Sequence, residues 1–386
     1  MEIFSIVRFL LFKTYERRSQ MNKMLNCLVN KVMCTAVVAL GAFAASAESV
    51  LTTNALYDAV NTEVSVGYQV SGLEGDEIAV VFTNDACEVI NWKVSVRLND
   101  VQFLVVGGGG GGGGGDTGNY GVPGGGGGGV VTGVVQSLTK DSMVSVIVGK
   151  GGYGGKGSGA SVDGITSEAI IIAENGGDSK FLVNNTLYVT APGGGGDKGS
   201  STSTTQKGGQ GGSNSGSRRT SVATWDSSLF YTNSTYITAS IFGNPGGKAN
   251  SDGPASAGGG GGALEAGHDG VSSPSYRGGD GGAGLTNSIT GVDVVYGSGG
   301  GGGQSYHTSS KQIAGKGGVG AGDGGARMAT SLIDQVAKSG LANQGGGGGG
   351  GWRRSSKFSN GGNGGSGIVV FRFKNPSQPG FKVIVR

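Results

Sequence analysis

The feature that most constrains this chain is a large amount of bare backbone. Nine glycines stand in a row at 107–115 and six at 124–129, with further runs at 193–196, 258–262, 299–303 and 345–351. From Gly107 to Gly367, 81 of 261 residues are glycine. That share approaches collagen's third. The strict Gly-x-y register is missing, however, and the chain has only seven prolines, so a collagen triple helix is excluded. Uneven run lengths and spacings exclude a fixed-period solenoid.

Such a run has two physical outcomes. It can be a flexible linker, the default for glycine-rich sequence. It can also be ordered by packing against other runs. Ordering costs about 1–2 kcal/mol per residue in backbone entropy, and glycine loses the most. A backbone hydrogen bond returns about 0.5–1.5 kcal/mol net, so a lone run stays disordered. Several runs side by side do better. A polyproline-II-type helix has three residues per turn and no internal hydrogen bonds. Without Cβ atoms, neighbouring glycine helices approach closely and satisfy each other's N–H and C=O groups. This stack needs many runs with their ends held by ordinary strands.

The flanking sequence supplies strands. Glu77–Thr83, Cys87–Leu98, Val101–Val106, Val130–Leu138 and Ser142–Gly149 are rich in valine, isoleucine and aromatic residues. Val94, Val96 and Leu98 alternate with Lys93, Ser95 and Arg97, which puts the apolar side chains on one face. Phe181–Ala191 reads as a hairpin turning at Asn184-Asn185, residues that tolerate positive φ. A further strand pattern returns in GGSGIVVFRF at 364–373. One short helix is expected at 52–64, capped by Thr53 or Asn54.

The first 47 residues read as an export leader. Arg17, Arg18, Lys23 and Lys31 precede the apolar stretch Val32–Ala44, and Ala45-Ser46-Ala47 is a cleavage pattern that starts the mature chain at Glu48. Met21 offers a second start. The alternative, an uncleaved anchor, has an apolar core shorter than the ~20 residues a spanning helix needs. No later segment is long and apolar enough to span a bilayer. The leader takes six of 29 basic and two of 26 acidic residues, leaving 23 and 24 and a net charge of −1. The basic balance belongs to the leader and gives no case for nucleic acid. Cys27 and Cys34 leave with it. The remaining Cys87 can form neither an internal disulfide nor a four-ligand zinc site.

The set NWKVSV (91–96), FLVVGGGGGGGGG (103–115), VSVIVGKGG (144–152), NGGDSKF (175–181) and GGSGIVVFRF (364–373) resembles the bacterial and phage glycine-rich domain proteins, in the same order. The resemblance covers about 77–374. Ser95 stands where that family usually has proline. The resemblance implies a polyglycine-II sandwich of the kind seen in tip adhesins of T-even-type phages, where loops between runs bind a host receptor. A tip protein needs no leader, so a bacterial surface or secreted relative is implied instead.

Motifs for chemistry are sparse. GxGxxG matches are trivial in such a chain, and no helix follows the glycines to make a dinucleotide site. The phosphate loop GxxxxGK[ST] is absent. His268 and His307 stand in loop-like contexts without metal-ligand spacing. No cofactor is expected. The informative insert is 217–242, with Arg218, Arg219, Trp225, Phe230, Tyr231 and Tyr236. Aromatic and arginine side chains on a loop suit a sugar face or a protein partner. They also suit a second role, covering a glycine lattice that has no apolar side chains of its own.

The sequence therefore predicts an export leader (1–47), a lead-in (48–76), a glycine-rich domain (77–374) and a tail (375–386). The domain is expected to be mostly β, with antiparallel strands framing stacked polyglycine-II helices and few or no helices. The expected role is an exported structural or adhesive protein, not an enzyme, that binds a surface glycan or protein receptor through loops. A dedicated carbohydrate- or receptor-binding module is the alternative, and a hydrolase a remote one. Oligomeric state is left open.

Overall fold

The computed structural model describes residues 51–52, 68–73, 77–83, 89–115, 121–157, 172–198, 209–218, 223–250, 256–271, 276–304, 312–326, 335–354 and 357–376. The export leader, most of the expected helix at 52–64, Cys87, Arg219 and His307 lie outside them. Leu51–Arg386 belongs to one unit.

Glycine runs leave and re-enter a frame of strands. The first strands are β1 (Leu51–Thr52), β2 (Tyr68–Leu73), β3 (Glu77–Phe82), β4 (Ile90–Lys93), β5 (Leu98–Val106) and β6 (Val130–Leu138). Next come β7 (Met143–Ile147), β8 (Ser179–Val183), β9 (Thr186–Ala191), β10 (Tyr231–Thr232) and β11 (Ile237–Phe242). Short pieces follow: β12 (Tyr276–Arg277), β13 (Leu285–Asn287), β14 (Val294–Tyr296), β15 (Gln312–Ile313), β16 (Arg353–Arg354) and β17 (Lys357–Phe358). The last strand is β18 (Ile368–Lys374). Among the described residues, the helical content is one 3-10 turn at Ser227–Leu229.

Two six-stranded sheets carry the frame. One has the order β1-β4-β7-β8-β9-β10 and the other β11-β6-β5-β18-β3-β2. Neighbours are antiparallel except in the β1–β4 pair, and outside these sheets the β12–β15 pair is also parallel. Between the sheets lies the main core. Phe181 meets Phe103 and Phe371 edge-on at 5.4 and 5.1 Å, and Trp92 stacks on Phe373 at 5.7 Å. Alternation along β5 sends Phe103 and Val105 into this core, while Leu104 and Val106 face the other way. There they join Val130, Ile368 and Val370 in a second cluster covered by Ala263, Ile289 and Tyr296. Burial on both faces explains why FLVV shows no polar alternation.

Cys87–Leu98 does not form one strand. The described part breaks after Lys93, and the chain passes from the first sheet to the second before resuming at Leu98. Val94 is buried on the way. Alternation alone does not reveal this corner, because its residues keep an inward and outward rhythm. The Asn184-Asn185 turn is as expected, with φ of 49° and 64°.

Every long strand that feeds glycine does so at the same end of the frame. β5 stops at Val106 and glycine begins at 107, while glycine ends at 129 and β6 starts at Val130. Val106 pairs with Val130, and the pairing then continues in bare backbone. Gly107, Gly110 and Gly113 donate to the carbonyls of Gly129, Gly126 and Pro123 at 2.9–3.0 Å. Gly108 and Gly111 donate to Gly177 and Glu174, and Gly109, Gly112 and Gly115 to Gly365, Gly362 and Ser359.

The repeat is three residues, one neighbour per position. Carbonyls repeat the pattern towards three other segments. Those of Gly108 and Gly111 accept from Gly194 and Asp197, those of Gly109 and Gly112 from Gly152 and Gly155, and those of Gly110 and Gly113 from Gly348 and Gly351. The 107–115 run thus has six neighbours and is itself enclosed. The 258–262 run lies one step further out, bonded to 124–129 by Gly124 and Gly127 donating to Gly258 and Gly261.

Steric necessity explains the composition. A Cβ on Gly110 would sit 2.3 Å from the Gly195 carbonyl oxygen, and one on Gly112 would sit 2.0 Å from that of Gly349. Gly177 is looser, with its nearest neighbour at 3.0 Å. Gly110→Ala is therefore expected to lower stability by at least about 1–3 kcal/mol, the usual cost of overpacking. Gly177→Ala should cost clearly less. Thermal unfolding of both variants checks this, and equal losses would refute the enclosure of Gly110.

Candidate functional site

The part of the insert described at 223–242 joins the edges of the two sheets. β10 pairs with β9 at one edge, and β11 pairs with β6 at the other. Just before β10, Asp226 caps the 3-10 turn by accepting from the Ser228 N–H at 2.9 Å. Hydrogen bonds from the Ser228 side chain and backbone lower the Asp226 pKa. The insert is thus a strap closing one side of the sandwich as well as a loop.

Its described candidate residues divide into two groups. Arg218 is 3% exposed. Its Nε donates to Asp197 Oδ2 at 2.9 Å, and its Nη2 reaches both that carboxylate and the Gly114 carbonyl. The pair sits where the 107–115 run ends and replaces the backbone partners that the run lacks there. Trp225 is half-buried, and its indole N–H donates to the Gly212 carbonyl at 2.8 Å. Phe230 is buried against Trp225 at 6.0 Å, and its ring occupies the place a Cβ on Gly129 would take. These three side chains cover glycine backbone.

Tyr231 and Tyr236 differ, being 44% and 45% exposed. Tyr236 lies flat on Tyr188, with ring centroids 5.0 Å apart and planes 8° from parallel. Tyr188 in turn touches Phe181 of the core at 5.9 Å. Tyr236 is thus the outer ring of a series anchored in the sandwich. Burial first, then the neighbouring Tyr236, raise the Tyr188 pKa above the ordinary tyrosine value.

Sequence reasoning missed a second set of surface side chains. Where a run lies at the lattice surface, every third residue points outward and is free to differ from glycine. Lys150, Tyr153 and Lys156 follow this spacing, as do Ile313, Lys316 and Val319, all exposed. Asn360 and Asn363 do the same and reach sideways, accepting from the N–H groups of Gly157 and Gly154. A search for non-glycine residues at intervals of three would have found these rows.

A third feature is a groove of about 540 Å³ on the outer face of the second sheet, beside the 286–293 segment. Among the described residues, no three His, Cys, Asp or Glu side chains converge to hold a metal ion. His268 is exposed, 3.7 Å from Glu265. No described helix is long and apolar enough to cross a membrane.

Removing one partner of the buried ion pair takes the opposing charge away from a buried ion. Arg218→Ala is expected to cost about 3–5 kcal/mol in chemical denaturation, and Arg218→Met paired with Asp197→Leu should recover much of that loss. A loss below about 1 kcal/mol in the single variant would show the pair to be solvated.

A comparison with curated proteins returned no match. A family model described as a glycine-rich domain matches residues 83–374. That span is well over half of the chain, and the protein belongs to the glycine-rich domain family.

Proposed function

We propose that this protein is an exported structural or adhesive protein that acts by binding, without chemistry, and that its glycine runs are polyglycine-II helices serving as a rigid platform. One observation carries the reading. The interior runs consume their own backbone polar groups on one another, so what they offer to solvent is the set of outward side chains and the strap between the sheets. The hydrogen-bond repeat of three residues supports that helix, which has three residues per turn. The Lys/Arg-rich leader and its Ala45-Ser46-Ala47 site support export. Tyr231 and Tyr236, exposed on a strap anchored at both ends, support contact with a surface glycan or protein receptor.

Export and binding are tested together. The full chain, expressed in a bacterial host, should appear outside the cytoplasm with Glu48 as its first residue. The exported product should adhere to whole cells or an immobilised glycan panel. Tyr231→Ala combined with Tyr236→Ala should lower adhesion by about tenfold, the loss of about 1.4 kcal/mol, with little change in melting temperature. Retention in the cytoplasm with an intact leader would overturn export. Undiminished adhesion by the double variant would remove the strap from the binding surface.

A further inference from the structure

The outer face of the second sheet is divided. Near the glycine end it is apolar and covered by Ala263, Ile289 and Tyr296, whereas further along it is polar and open. The open part is the groove. Its floor is two rows of side chains set by register. One row places Ser240 beside Thr132, and the next runs Thr238, Val134, Gln102 and Arg372 across β11, β6, β5 and β18. Three strand spacings of about 4.8 Å make that floor roughly 14 Å wide. The wall is 286–289, with Asp293 beside it.

The chemistry of this lining is selective. The Gln102 amide, the Thr238 and Ser240 hydroxyls and the Asp293 carboxylate make no hydrogen bond to any described residue. Arg372, the cation in the lining, is already committed. Its Nε donates to Glu77 Oε2 at 2.7 Å, its Nη2 reaches the same oxygen, and its Nη1 donates to the Ser288 carbonyl at 3.3 Å. Glu77 and Ser288 engage Arg372, so the lining holds no uncommitted cation, which disfavours phosphate, sulfate and nucleic acid. Unpaired polar groups disfavour an apolar ligand, since burying them unmatched is costly. An open floor of amide, hydroxyl and carboxylate groups suits a ligand that both donates and accepts along its length.

We infer that this groove is a binding site for a neutral oligosaccharide, with Asp293 accepting from sugar hydroxyls and Gln102, Thr238 and Ser240 pairing along the chain. The inference rests on the non-catalytic binding role proposed above but places it at a different surface from the strap.

Saturation-transfer NMR on the full chain tests it with three neutral probes, cellotriose, maltotriose and N-acetylchitotriose. A lysine tripeptide and glycerol 3-phosphate serve as comparisons. Saturation should reach at least one trisaccharide and not glycerol 3-phosphate. Ser240→Trp, which fills the groove from an exposed sheet position, should abolish it. Asp293→Asn, which changes one exposed group and leaves the fold alone, should weaken it about tenfold. Tyr231→Ala with Tyr236→Ala should leave it unchanged. The inference is overturned if no trisaccharide receives saturation, if only the lysine tripeptide does, or if Asp293→Asn and Ser240→Trp both bind like the parent. Sugar binding lost in the tyrosine variant but kept in both groove variants would sink the groove and leave the strap reading standing.

Discussion

Backbone amide to backbone carbonyl, across runs that carry no side chains, is the interaction on which this structure depends. In an ordinary domain such bonds lie within helices and sheets, and side chains fill the space between elements. Here the bonds are themselves the contacts between elements. Each glycine from Gly108 to Gly113 donates to one neighbour and accepts from another, so removing that run leaves six others with orphaned groups. Order is therefore collective, which is why a single run reads as a linker and the full set does not.

The strand frame makes that collective state reachable. β5, β7, β9 and β11 send glycine out at the end of the sandwich where β6, β8 and β18 receive it back. Strand register therefore fixes the starting phase of each run. The Val106–Val130 pair hands its alignment directly to the Gly107–Gly129 pair. The aromatic core around Phe181 and Phe371 thus stabilises the lattice without touching most of it.

Much of this was legible in the sequence, and the failures have physical causes. β6 was read at its observed bounds because Val130–Leu138 lies between clear breakers. The Asn184-Asn185 turn was read because few residues accept positive φ. The sheet-to-sheet corner after Lys93 was not, since local alternation says nothing about which sheet a side chain faces. Nor does any sequence signal say which runs are neighbours. Glycine has no side chain to encode a partner, so adjacency comes from strand order alone. Composition singles out the 217–242 insert, yet it could not separate Tyr236, open to solvent, from Arg218, sealed beside Asp197.

The three-residue repeat has a consequence for how such a gene changes over time. Lengthening an enclosed run by one codon shifts everything beyond it by one step of the three-residue repeat and points each amide at the wrong neighbour. Adding three codons restores the match. Tracts of identical glycine codons are prone to copying slippage, so errors should survive in triplets within the bundle and at any length in the surface connections. The bundle acts as a second reading frame, imposed on the protein by its own geometry.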